Sequence, residues 1–134
     1  MRFIDTRIHG YLDYLMGLLL MAAPWLFGFA IGGAAQWLPF FLGVGVIIYS
    51  ILTDYELGLL KVIPMKAHLV IDLMGGILLA ASPWIFGFAD EVFLPHLLLG
   101  IAEIGASLAT KQHPPYPTTS VKEGYFERDR KETF

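Results

Sequence analysis

Ala22-Ala23-Pro24-Trp25-Leu26-Phe27-Gly28-Phe29-Ala30 returns, almost letter for letter, as Ala81-Ser82-Pro83-Trp84-Ile85-Phe86-Gly87-Phe88-Ala89. Shifting the sequence by 59 positions aligns residues 9–30 with 68–89, and twelve of the 22 pairs are identical. Agreement at that level exceeds what two unrelated apolar stretches would share, so the chain is one structural unit written twice. The repeated words place Pro24 and Pro83 near the end of an apolar run, where a helix can stop. Gly28 and Gly87 follow as turn residues.

The runs that carry the motif are long. From Tyr14 to Thr53 there are forty consecutive residues without Asp, Glu, Lys or Arg, whereas a membrane-crossing helix needs about 20. With 56% hydrophobic and 16% charged residues and a mean hydropathy of +0.62, the composition is that of a chain dissolved in lipid. A net charge of −3 argues against a nucleic-acid partner. The absence of cysteine excludes disulfides, thiol catalysis and thiolate-bound metal. Arg2, Arg7 and the run ending at Ala23 resemble a signal peptide, but the run is long for one and its pattern recurs internally.

Read in order, the sequence predicts an all-α membrane protein with four transmembrane helices, built as two tandem parallel helical hairpins, and a disordered C-terminal tail. The first repeat covers residues 1–56, with spans at about 7–27 and 37–53 and Asp5 or Thr6 placed to cap the first. Gly32-Gly33 falls in its turn and Pro39 in the first turn of its second helix. Residues 57–64 form a connector, and the second repeat, 65–110, has spans at about 65–86 and 92–110. Gly43 aligns with Gly100, Ser50 with Ser107 and Thr53 with Thr110 at a spacing of 57. Residues 111–134 change composition: Pro114, Pro115 and Pro117 block helix, nine of 24 residues are charged, and one short helical turn is expected near Phe126.

All nine Lys and Arg lie before the first span, between the hairpins or in the tail, and neither hairpin turn has any. The positive-inside rule therefore puts both termini and the connector on the cytoplasmic side of the cell membrane, with both Pro-Trp motifs opposite. An even number of spans per repeat relates the copies by a pseudo-two-fold axis along the membrane normal. Ser82-Pro83-Trp84, in the first helix of a hairpin that occurs twice, resembles the SPW repeat family of small integral membrane proteins. The resemblance covers about residues 7–110. The first copy departs from it, reading Ala23-Pro24-Trp25. It implies a four-helix membrane architecture and supplies no catalytic residues.

On a helical wheel His9, Asp13, Gly17, Leu20, Pro24 and Phe27 fall within an arc of about 80°, and their counterparts are His68, Asp72, Gly76, Leu79, Pro83 and Phe86. A face kept the same in both copies predicts that the first and third helices meet across the axis, with Gly17 and Gly76 as the close-packing points. In the alternative each stripe faces the second helix of its own hairpin. Asp13, Asp72 and Glu103 lie at similar depth, about 9 to 12 Å from the cytoplasmic ends of their helices. With His9 and His68 they predict an inner polar layer, which Glu103, aligned with Val46, makes asymmetric.

Ionisable groups at that depth are costly and therefore point to function by default. Asp one turn from His near a helix end also serves as a local pair that bonds the other repeat. Two His and two or three carboxylates suit a divalent metal, and two His suit axial haem ligation, but no spacing is specific to either. No metal, cofactor or catalytic residue is therefore assigned. Trp25, Trp84, Phe27, Phe86, Trp37 and Phe93 read as an aromatic belt at the outer boundary, with a quinone or lipid pocket as the alternative. His96 and His113, without counterparts, read as interface or solvent residues. A structural or accessory membrane role leads, a small transporter or ion- or proton-conducting unit follows, and a haem- or quinone-linked redox subunit comes last. Besides the lipid bilayer, a homo-oligomer or a membrane protein partner is expected, because four short helices bury little surface between them.

Overall fold

Apolar runs bounded by glycine and proline set the helices, and four form: α1 Thr6–Leu26, α2 Gly33–Leu52, α3 Met65–Ile85 and α4 Leu94–Ala109. Residues 1–117 are described in this computed structural model, so the expectations of disorder at 118–134 and of a turn near Phe126 fall outside the described residues. Two helices, Gly33–Leu52 and Met65–Ile85, are long and apolar enough to cross a membrane. The α4 helix, at 16 residues, is shorter, and α1 carries Arg7, His9 and Asp13 in its first half.

The Pro-Trp motif ends each first helix in the same way. The Phe29 amide donates to Pro24 O and the Phe88 amide to Pro83 O, both at 2.8 Å. Between them Gly28 and Gly87 take φ of 72° and 73°, the left-handed step that closes a helix by this six-residue bond. Each proline also leaves the carbonyl four residues earlier without its helical donor. In the second copy the Ser82 hydroxyl donates to that carbonyl, Leu79 O, at 2.7 Å, which gives the serine of Ser-Pro-Trp a local purpose. Ala23 in the first copy has no hydroxyl to offer.

Three sequence expectations are corrected by local chemistry. The α2 helix begins four residues early, because the Gln36 side chain reaches back to accept the Gly32 amide at 2.9 Å and secures the first turn. Pro39 therefore sits inside the helix, beyond its first turn. Asp5 stands at the N-cap of α1 as expected, but its side chain makes no capping hydrogen bond: it accepts from Lys111 Nζ at 2.6 Å, and the Thr6 hydroxyl donates to the Glu56 carboxylate.

Each hairpin closes on glycine. A Cβ on Gly43 would stand 2.6 Å from Gly17 O, and one on Gly100 would stand 2.6 Å from Gly76 O. Gly17 and Gly76 thus pack against the second helix of their own hairpin and do not meet across the axis. The two hairpins touch along α2 with α3 and α1 with α4. At the end where α1 begins and α4 ends, Ile4 bridges Thr110 and Ile63 bridges Thr53. These are equivalent pairs, each joining the lead of one repeat to the end of the other.

Side chains are sorted inside out. Among the described residues, Thr6, His9, Asp13, Ser50, Thr53, His68, Asp72, His96, Glu103 and Thr110 are buried, while Leu15, Leu18, Phe41, Ile48, Met74, Ile77, Leu98 and Ile101 are exposed along all four helices. The apolar core is small, with Leu20, Val46 and Leu79 mid-bundle and Tyr55, Met65 and Leu69 beneath the connector.

Candidate functional site

One turn in from the end where α1 begins and α4 ends, α1 and α3 bring their His-x-x-x-Asp pairs face to face. His9 Nε2 lies 2.9 Å from Asp72 Oδ2 and 3.1 Å from Asp13 Oδ1. His68 Nε2 lies 3.1 Å from Asp13 Oδ2 and 3.2 Å from Asp72 Oδ2. Each histidine therefore contacts the aspartate of its own helix and that of the other repeat. All four residues are buried, none more than 3% exposed.

The groups around them are symmetric where the repeat is and asymmetric where it is not. Thr110 Oγ1 lies 2.7 Å from His9 Nδ1, and its counterpart Thr53 Oγ1 lies 2.7 Å from His68 Nδ1. The Tyr49 hydroxyl donates to Asp72 Oδ1 at 2.5 Å, and the Tyr55 hydroxyl donates to Asp13 Oδ2 at 2.8 Å. Burial, reinforced by the Asp13 charge, pushes the Tyr55 hydroxyl above the ordinary tyrosine range, so it stays a donor. Tyr49 aligns with Ala106, so one interhelical crevice is fuller than the other. That between α2 and α3, reaching Asp72, encloses about 100 Å³, and that between α1 and α4, reaching Asp13, about 280 Å³. Glu103 lines both crevices, and among the described residues its carboxylate makes no hydrogen bond.

The sequence-predicted layer of His9, Asp13, His68, Asp72 and Glu103 is thus brought together, with Glu103 at its edge. The aspartate carboxylates occupy the space between the imidazoles, whose centroids are 5.4 Å apart, so a haem plane does not fit there. Pro24, Trp25, Gly28, Pro83, Trp84 and Gly87 lie at the other end of the bundle and take no part. Trp25 packs edge-on against Trp37 and Phe40, and Trp84 packs at a tilt against Phe93, with both motif tryptophans more than half exposed.

Sequence reasoning missed His96, which is a buried core residue and not an interface one. Pro39 has no N–H to give Ala35 O, and His96 Nε2 from α4 donates to that carbonyl at 2.8 Å. Phe29 and Phe88, one from each motif, pack against the His96 ring at 4.9 Å. A proline inside a helix was the available signal, since it implies a donor from elsewhere. Tyr49, Tyr55, Thr53 and Thr110 carried no sequence signal for this site beyond the Thr53–Thr110 alignment. His113 is exposed.

Fold and site together define a two-repeat helical protein with a polar core shared between the repeats. Residues 7–110 match the SPW repeat domain, and the chain belongs to that family. Neither the curated proteins nor the solved structures contain a match to it.

Proposed function

We propose that the protein spans the membrane four times and that its His–Asp core clasps the two repeats into one unit, serving as a structural or accessory component for a membrane partner. The observation that carries this is the reciprocity of the core: His9 lies against Asp72 and His68 against Asp13, so neither repeat completes its buried polar set alone. The inside-out sorting of side chains supports lipid as the solvent, because exposed leucine, isoleucine and phenylalanine on every helix face hydrocarbon at no cost. The basic residues put both termini and the connector on the cytoplasmic side. The Trp25–Trp37 and Trp84–Phe93 clusters then sit at the opposite headgroup boundary.

Single cysteines introduced into this cysteine-free chain test the spanning model directly. Membrane-impermeant labelling of intact cells should reach Gly33→Cys and Asp90→Cys but not Leu59→Cys; labelling at Leu59→Cys without Gly33→Cys would reverse the topology. A second reading, a small ion- or proton-conducting unit, is favoured by one observation, the Glu103 carboxylate lining both crevices without a hydrogen bond among the described residues. Purified protein in proteoliposomes decides between them. The clasp predicts no proton or cation flux above protein-free vesicles, whereas flux abolished by Glu103→Gln would install the second reading.

A further inference from the structure

The hydrogen positions in the core are fixed by the threonines. Thr110 Oγ1 lies 2.6 Å from Ala106 O and Thr53 Oγ1 lies 2.6 Å from Tyr49 O. A carbonyl has no proton to give, so at that distance each hydroxyl hydrogen lies on the line to the carbonyl. The hydroxyl oxygen is then left as an acceptor, and His9 Nδ1 and His68 Nδ1 must each carry the proton that bonds it. With a proton on Nε2 as well, each histidine is an imidazolium paired with the Asp13 and Asp72 carboxylates, and the His9 Nε2–Asp72 contact is then a hydrogen bond. When those Nε2 protons are displaced, two lone pairs and two anions converge in a buried core, and a cation between them takes the place of the two protons. His68 Nε2 is fully buried and makes no aligned hydrogen bond despite its two close carboxylate oxygens.

We propose that His9 Nε2, His68 Nε2 and one carboxylate oxygen each from Asp13 and Asp72 bind a single divalent transition-metal ion of the zinc type between the repeats. The dimensions fit. Four ligands about 2.0–2.1 Å from a tetrahedral ion stand about 3.3 Å from one another; Asp72 Oδ2 stands 2.9 and 3.2 Å from the two Nε2 atoms, while Asp13 meets His9 through Oδ1 and His68 through Oδ2, each at 3.1 Å, so an ion would select one of the two Asp13 oxygens. Suitable ligand atoms from all four residues lie within 4.8 Å of one another. Two imidazoles favour a first-row transition ion over magnesium or calcium, which prefer all-oxygen sites. Two carboxylates balance the charge of a divalent ion, so the loaded core is neutral in a low-dielectric interior. The surroundings match what holds metal-binding histidines in place, since each ligating imidazole donates its other N–H to a fixed acceptor. The tyrosine hydroxyls of Tyr49 and Tyr55 likewise orient the two carboxylates. A cleft at the end where α1 begins and α4 ends, lined by Asp5, Thr6, Arg7, Glu56, Lys111 and His113, lies one helical turn above the four ligands.

The inference deepens the clasp reading and rests on it, because each repeat supplies half of the ligands. The full-length protein, purified in detergent and stripped with chelator, is titrated with Co²⁺ and separately with Zn²⁺. Absorption reports the cobalt geometry, and elemental analysis reports the stoichiometry. One ion per chain, with the intense visible bands of four-coordinate cobalt displaced by zinc, is expected. Asp90→Asn, at the other end of the bundle, should bind as the wild type does. Thr53→Val and Thr110→Val should each bind about 10- to 100-fold more weakly, and His9→Ala with His68→Ala should not bind. No binding by the wild type, six-coordinate cobalt bands, or binding undiminished in the double histidine variant would each overturn the proposal. The wild-type titration decides even if the double variant fails to fold. Melting measured on the metal-free samples separates the two claims: a clasp without a metal still melts lower when the histidines go, whereas a failed clasp melts unchanged.

Discussion

At the scale of the residue, the interior is arranged around backbone carbonyls that proline has stripped of their donors. Ser82 answers Pro83 from within its own helix, and His96 answers Pro39 from a different hairpin. His96→Phe fills the space between Phe29 and Phe88 but leaves Ala35 O unpaired, which should cost about 1–3 kcal/mol. Pro39→Ala restores an N–H to that carbonyl. In a Pro39→Ala background the His96→Phe penalty should therefore shrink, and thermal melting of the four proteins of this cycle measures the difference. Equal penalties in both backgrounds would show that the His96 bond to Ala35 O contributes nothing. The sequence displayed Pro39 plainly but not its consequence, because which distant donor reaches a freed carbonyl depends on how α4 lies against α2. His9, Asp13, His68 and Asp72 were legible as a layer, since a repeat preserves a face. Tyr49 and Tyr55 were not legible, since neither has a counterpart at the repeat spacing.

The elements are set by glycine at two kinds of position. Gly43 and Gly100 lie where helices nearly touch, and a Cβ there would meet backbone at 2.6 and 2.5 Å. Gly45 and Gly105 lie on the same two helices, yet nothing approaches within 4 Å of a Cβ at either. Gly100→Ala should therefore destabilise the second hairpin by about 1–3 kcal/mol through overpacking, whereas Gly105→Ala should be neutral or gain up to about 1 kcal/mol of helix propensity. Melting in detergent distinguishes them, and equal effects would contradict the close crossing. The periodic pattern gave Gly43 and Gly100 as an aligned pair but assigned Gly17 and Gly76 to the wrong neighbour. A wheel shows which residues share a face; it does not show that the face is divided, its polar end crossing the axis and its glycine turning to the hairpin partner. The start of α2 was misplaced for a similar reason, because Gly32-Gly33 reads as a turn until the Gln36 side chain is seen to hold it.

For the whole molecule the pseudo-two-fold relation decides how the parts cohere. The lead of each repeat bridges the end of the other at Ile4–Thr110 and Ile63–Thr53, and each histidine reaches the opposite aspartate. The parallel repeats were legible because the motif recurs in the same order, and the crossed termini were not, because backbone bridges leave no side-chain pattern. Large apolar side chains are exposed on every one of these short helices, so cross-linking in native membranes should recover a homo-oligomer or a complex with a membrane partner; recovery of monomer alone would contradict that expectation.

The reciprocal clasp is tested most directly by expressing the two repeats as separate chains, broken within residues 57–64, and measuring their co-purification from membranes. The account predicts a one-to-one complex that survives detergent and is lost when Asp13→Ala and Asp72→Ala are combined, since stripping a buried pair of its partners costs about 3–5 kcal/mol. Co-purification undiminished by the two substitutions, or two well-inserted repeats that never associate, would contradict it.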